Sequence, residues 1–304
     1  MSDSLKTDIP LLSEVNMSVL KHSGKMLRPM LTLLCARMLN GGEVNDDVCR
    51  FATATELLHN ATLLHDDVAD ESPTRRGEPT LNARFGPTAA VLVGDFWLAR
   101  AMEVAMVTTH KERLVKVFSS AMTNLAEGEM LQLQKASGED THEADYFRII
   151  YCKTASLFEA AAVSGAISVG ADELQYEKVK DYALSLGIAF QIKDDILDYV
   201  GDKALGKPVG IDLKECKVTL PLLCALKDSP REREIRSKVF QIGSHSEYFD
   251  EIYNFVIENH GVEKAEAILE EYVDKSLEAL EYFTPSEDRK LLADLAKYNS
   301  KRDF

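Results

Sequence analysis

LLHDDVADESPTRRGEPT, residues Leu63 to Thr80, sets Asp66, Asp67 and Asp70 within five positions and follows them with Arg75 and Arg76. The stretch just before it carries Ala54, Leu57, Leu58, Ala61 and Thr62 at helical spacing, so the acids fall at the end of a helix. On a helix the first and fifth positions of DDxxD are four apart and the second and fifth are three apart. All three side chains therefore lie near one face. Carboxylates placed this way repel one another and are harder to ionise, which calls for a cation.

A second stretch, AFQIKDDILDYVGD, repeats the spacing with Asp194, Asp195 and Asp198. Hard oxygen ligands suit Mg²⁺, which keeps several waters and bridges a few carboxylates to substrate phosphates. Two such faces directed at each other would hold a metal cluster around a diphosphate. The plain alternative for one DDxxD is a solvated helix face, and the chain supplies a control. Asp46 and Asp47 also pair, but Arg50 follows four residues after Asp46, so that pair opens a helix with its own compensation. The two DDxxD faces have no such neighbour. Cations stand near them instead: Lys25 and Arg28 in GKMLRP, Arg75 and Arg76, Lys153 beside Thr154 in YCKTASLFEAAA, and Lys207 and Lys217. Arginine grips phosphate oxygens with a planar fork, whereas lysine acts as a point charge. GDKALGK, residues 201–207, imitates part of a phosphate-binding P-loop, but Pro208 stands where Ser or Thr is required. His59 and His65 lack metal-ligand spacing, and His65 reads as a helix-packing residue.

The rest of the chain sets the frame. No apolar run is long enough to span a membrane, and MSDSLKTDIP lacks the pattern of a secretory signal. The five cysteines are scattered, which argues for reduced thiols and a cytoplasmic protein. A formal net charge of −15 makes nucleic acid an unsuitable partner. Leu114, Val117, Phe118, Ala121, Met122 and Leu125 form one apolar stripe, and Ala265, Ile268, Leu269, Tyr272 and Leu280 form another. Strand alternation is missing. The polar segment from Asp228 to Ser246 reads as a connection before the last helices. The expectation is a single all-α domain over residues 1–304.

From about Gly24 to Pro221 the sequence resembles the trans-isoprenyl diphosphate synthases, of the long-chain polyprenyl (octaprenyl or solanesyl) kind. GKMLRP, ELLHNATLLHDDVADESPTRRGEPT, VLVGDFWLARA, AEGEMLQL, YCKTASLFEAAA, FQIKDDILDY and GKPVGIDLKECKVTLPLL carry the resemblance in order. It implies an all-α helical bundle of the isoprenoid synthase type with a central cavity. It also implies a homodimer and Mg²⁺-dependent condensation of an allylic diphosphate, such as farnesyl or geranylgeranyl diphosphate, with isopentenyl diphosphate. Asp66, Asp67, Asp70, Asp194, Asp195 and Asp198 would hold the ions, three of them with substrate bound. Arg75, Lys153, Thr154, Gln191, Lys207 and Lys217 would support the allylic diphosphate, with Lys153 and Lys207 counted among the catalytic groups. Lys25, Arg28, His59 and Arg76 would take isopentenyl diphosphate. The apolar product would need a membrane or detergent for release. With 23 residues before Gly24, the first helix usual in this family is expected to be shortened or absent.

The competing readings are a short-chain (C15–C20) synthase, a class I terpene cyclase and a non-catalytic synthase subunit. A cyclase normally replaces the second DDxxD with a motif carrying Asn or Ser and Glu, and it needs no second diphosphate site. A non-catalytic subunit would have lost acids, and none is lost here. Ala61 and Thr62, one turn below the metal site, leave the way open where short-chain relatives tend to place an aromatic floor. Phe118 is the candidate floor for a longer tail.

Overall fold

Helices carry the chain through the computed structural model, which describes residues 1–21, 24–75, 77–136, 138, 140–200 and 210–302. In chain order they are α1 (Pro10–Lys21), α2 (Leu27–Leu39), α3 (Asp46–Ala69), α4 (Leu81–Phe85), α5 (Pro87–Met106), α6 (Lys111–Ala136) and α7 (Glu143–Ile150). A π-helical turn, Tyr151–Ala155, joins α7 to α8 (Ser156–Ser168). Then follow α9 (Glu173–Val200), α10 (Ile211–Lys214), α11 (Leu220–Leu226), α12 (Glu232–Val239), α13 (Glu247–Glu258), α14 (Gly261–Glu281) and α15 (Glu287–Lys301). Among the described residues the one extended pairing is a two-residue antiparallel ladder, β1 (Thr74–Arg75) with β2 (Glu78–Pro79). It lies inside PTRRGEP, just after the first acidic motif. Gly77 makes the hairpin possible because its φ of +81° is costly for other residues. No helix among the described residues is long and apolar enough to cross a membrane.

The chain divides into two compact units, Met1–Ser119 with Ala160–Tyr176, and Ser120–Glu159 with Glu177–Phe304. In the first unit Asn45 caps α3 by accepting from the Val48 amide at 2.9 Å. Arg50 pairs with Asp47 at 2.9 Å and lies 3.8 Å from Asp46, so the early acidic pair is compensated as expected. Phe51 and Phe118 stack with ring centroids 6.3 Å apart in the core. His65 packs onto α5 at Gly94, where any side chain would collide with the imidazole. An N-terminal helix is present as α1. It is tied down by Asn16, which accepts from Trp97 Nε1 at 2.8 Å and donates to the Leu5 carbonyl at 3.0 Å. Both Asn16 and Trp97 are buried, so these bonds satisfy groups that water cannot reach.

In the second unit the π-helical turn is held between two glycines. A Cβ on Gly128 of α6 would stand 2.6 Å from Cys152 Cβ, and one on Gly187 of α9 would stand 2.6 Å from Ala155 Cα. Both helices therefore approach the turn at backbone distance. The segment from Asp228 to Ser246 is more ordered than its polarity suggested. It contains α12, whose Ile235 and Val239 are fully buried. Its outer charges are absorbed by Arg231, Glu234, Lys238 and Glu251, which pair with one another.

Candidate active site

Each acidic motif stands at the C-terminal end of a long helix, the first on the 24-residue α3 and the second on the 28-residue α9. The helix dipole is negative there and favours cations, and neither last turn contains a basic residue. The placement therefore adds to the repulsion among the carboxylates.

Within each motif the three acids are not equivalent. In the first unit Asp67 is buried and accepts from Arg75 Nε at 2.7 Å, while Asp66 is half-buried and Asp70 is exposed as the C-cap of α3. Burial raises the Asp67 carboxyl above its usual range, against the opposing pull of Arg75, and Asp70 adds to the rise. In the second unit Asp195 is buried, with Oδ2 accepting from the Tyr146 hydroxyl at 2.6 Å and Oδ1 from Gln191 Nε2 at 2.9 Å. Burial and then the charge of Asp212 push Asp195 well above the carboxylate range. Asp194 is half-buried. Asp198 accepts from the Ile211 and Asp212 amides at 3.0 and 3.1 Å and so anchors the start of α10. Burial raises it as well.

Thr154 and Lys153 come from the π-helical turn, an irregularity that often marks a functional position. Thr154 Oγ1 donates to Gln191 Oε1 at 2.6 Å, and Gln191 passes the contact to Asp195. Lys153 Nζ pairs with Glu129 Oε2 at 2.5 Å and donates to Gln132 Oε1 at 3.0 Å. Lys217 pairs with Glu215 at 2.6 Å and stands 3.9 Å from Asp212. Lys25 is exposed, and Arg28 and His59 are half-buried. Ala61 is buried on α3, and the half-buried Thr62 donates its hydroxyl to the His59 carbonyl at 2.8 Å. Arg76 and Lys207, together with the GDKALGK stretch, lie outside the described residues.

Four participants escaped sequence reasoning. Asp212, in GKPVGIDLKECK, is raised to about 6 by burial and by the neighbouring Asp198. Tyr146 holds Asp195, and Glu129 holds Lys153. The fourth is Arg302, whose guanidinium reaches Asp194 Oδ1 at 2.6 Å. Asp212 and Glu129 sit in stretches that had been singled out, but nothing in their spacing separates them from surface acids. Tyr146 and Arg302 carry no local signal.

The sequence matches the model of the polyprenyl synthetase family over residues 9–256, a longer span than Gly24 to Pro221. It is 39% identical over 303 residues to the octaprenyl diphosphate synthase of Haemophilus influenzae, covering 99% of this chain and 91% of that protein. The structure is similar to the polyprenyl synthase of Caulobacter crescentus solved with calcium and isoprenyl diphosphate. There the TM-score is 0.90 at 37% identity, over 100% of this chain and 92% of the other. A decaprenyl diphosphate synthase from Rhodobacter capsulatus gives a TM-score of 0.92 at 36% identity, over 100% and 94% of the two chains. The fold is thus the all-α isoprenoid synthase fold, and the class is that of enzymes that transfer prenyl groups. The chain belongs to the polyprenyl synthetase family.

Proposed function

We propose that this enzyme condenses an allylic diphosphate with successive isopentenyl diphosphate units, in a Mg²⁺-dependent reaction, to make a long-chain all-trans polyprenyl diphosphate. The observation that carries the reading is the pair of DDxxD motifs at negative helix ends, with the middle acid of each buried and fixed by protein donors. The donor set fits the ion: all ligands are carboxylate oxygens, and burial and mutual repulsion raise Asp67, Asp195, Asp198 and Asp212 until a cation compensates them. Among the described residues no three His, Cys, Asp or Glu side chains converge closely enough to hold an ion alone.

Asp66, Asp67, Asp70, Asp194, Asp195 and Asp198 would hold the ions, with Asp67, Asp195 and Asp198 also fixed in place by protein donors. When bound by these acids, Mg²⁺ would supply positive charge against the departing diphosphate. Arg75, Lys153, Thr154, Gln191, Lys207 and Lys217 add fixed donors around the same group, and Lys25, Arg28, His59 and Arg76 seat isopentenyl diphosphate. The allylic C–O bond breaks with its electron pair going to diphosphate. The isopentenyl double bond then attacks the allylic cation, and a proton is lost from the adduct to the released diphosphate. No side-chain nucleophile is needed. The enzyme acts as a homodimer on these two substrates.

Product analysis with and without isopentenyl diphosphate tests the reading. Chain extension should require both substrates and a divalent ion, and Asp66→Ala or Asp194→Ala should lower turnover by orders of magnitude. A cyclic hydrocarbon formed from the allylic substrate alone, or near-normal turnover in either folded variant, would overturn it.

A further inference from the structure

The side chain of Arg302 lies one residue beyond α15, yet it is only 8% exposed. Its Nε donates to Asn299 Oδ1 at 3.0 Å, and its Nη2 donates to the Phe190 carbonyl at 2.9 Å and to Asp194 Oδ1 at 2.6 Å. The guanidinium carbon stands 4.2 Å from the centroid of the Phe190 ring. Three of these four contacts do not involve Asp194. The helix that delivers the arginine is fixed independently: Leu292 and Ala296 are fully buried, and the Tyr182 hydroxyl donates to the Leu292 carbonyl at 2.9 Å. Tyr182 and Phe190 lie on the same helix, α9, that carries Asp194. The guanidinium is thus bolted to α9 a few residues before the second acidic motif, and the carboxylate comes to it.

We infer that Arg302 is a positioning residue for Asp194: it fixes Oδ1 of that carboxylate and holds the group oriented for a divalent ion. The inference rests on the reading of Asp194 as a metal ligand. A planar fork suits the task because one guanidinium serves the amide oxygen of Asn299, a backbone carbonyl and a carboxylate at once, which an ammonium on a flexible stem does not reproduce. Partners that hold a ligand from behind commonly change metal affinity by ten- to a hundredfold when removed. Bringing a fixed cation to a ligand also opposes metal binding by repulsion. Arg302 is nevertheless one cationic group against the carboxyl groups of Asp194, Asp195 and Asp198 on the same helix. Fixing the ligand outweighs the added positive charge.

The test is calorimetric titration of Mg²⁺ into the full-length protein with saturating inorganic pyrophosphate, using wild type, Arg302→Gln, Arg302→Lys and Asp194→Asn. Arg302→Gln should bind Mg²⁺ about tenfold or more weakly, and Arg302→Lys should fall between it and wild type. In steady state, Arg302→Gln should raise the KM for the allylic substrate and leave that for isopentenyl diphosphate within about twofold of wild type. If Arg302→Gln fails to fold, Asn299→Ala loosens the guanidinium without removing it and should weaken Mg²⁺ binding by a smaller factor. Unchanged or tighter Mg²⁺ binding in the folded arginine variants, or in Asn299→Ala where it replaces them, overturns the positioning role. Unchanged binding in Asp194→Asn overturns the assignment of Asp194 itself, so the two failures are told apart.

Discussion

Tyr146 donates its hydroxyl to Asp195 Oδ2 at 2.6 Å, with both groups buried, from the helix that leads into the π-helical turn. Burial and the adjacent carboxylate push the phenol well above its usual range, so it remains a donor throughout the working pH. Tyr146→Phe leaves that carboxylate oxygen unsatisfied, which costs about 1–3 kcal/mol for a buried polar group. Urea denaturation should show a loss of that size, and the KM for the allylic substrate should rise because the end of α9 is less well fixed. Equal stability in the two proteins would mean that Asp195 does not depend on this bond.

Buried acids in and beside the second motif give the ion-free protein a pH dependence of defined sign. Asp212 is raised from 3.8 to about 6, so the folded state holds a proton that the unfolded state releases. Its contribution is fully present below pH 4 and is lost as pH rises through 6, by up to about 3 kcal/mol. Asp195 shifts in the same direction. The groups lowered by salt bridges and amide bonds, such as Asp47, Asp145 and Glu234, lose their contribution only at lower pH. In EDTA, melting should therefore occur at higher temperature at pH 5.5 than at pH 7.5, and Mg²⁺ with pyrophosphate should narrow the gap. A melting temperature in EDTA that climbs between those two pH values would contradict the burial of this cluster.

Gly128 and Gly187 reverse the ordinary effect of glycine in a helix. Replacing a helical glycine by alanine normally stabilises by about 1 kcal/mol. Here each new methyl would press on the π-helical turn, and at Gly187 the atom it meets is backbone. Overpacking of this kind costs about 1–3 kcal/mol. Gly187→Ala should be the more damaging of the two, and both should lower turnover by displacing Lys153 and Thr154. Thermal unfolding beside steady-state kinetics checks this, and a stabilised, fully active Gly187→Ala would refute it.

Most of the fold was legible because helical periodicity and the DDxxD spacing are local. Long apolar stripes such as Leu114 to Leu125 and Ala265 to Leu280 lie within α6 and α14. The π-helical turn left no trace in the sequence, since the glycines that admit it, Gly128 and Gly187, lie on two other helices. Ile235 and Val239, four residues apart, were the sign of α12, but the charges around them masked it. Spacing also could not rank the acids inside a motif. Asp67 and Asp195 differ from their neighbours through burial and through Arg75, Tyr146 and Gln191, which tertiary structure supplies. Arg302 lies 108 residues from Asp194, and no local pattern could join them.

The product is expected to be longer than the C20 class, and its length should depend on the face of α3 below Asp66. Ala61 and Thr62 are the positions one turn below Asp66, at about 5.4 Å per turn. They differ in the structure: Ala61 is 1% exposed, whereas Thr62 is half-buried with its hydroxyl turned to its own helix. An aromatic at Thr62 therefore meets looser packing than one at Ala61, which must displace packed neighbours at about 1–3 kcal/mol. Both Thr62→Phe and Ala61→Phe should shorten the product, and Thr62→Phe should do so with the smaller loss of stability. Phe118 is a less clean probe. It is 1% exposed and stacks on Phe51, so Phe118→Ala should cost about 3–5 kcal/mol before any lengthening of the product is read. Chromatography of radiolabelled products from wild type and Thr62→Phe decides the matter. A wild type that stops at C15 or C20, or an active Thr62→Phe enzyme with unchanged product length, would show that the growing chain does not pass this face of α3.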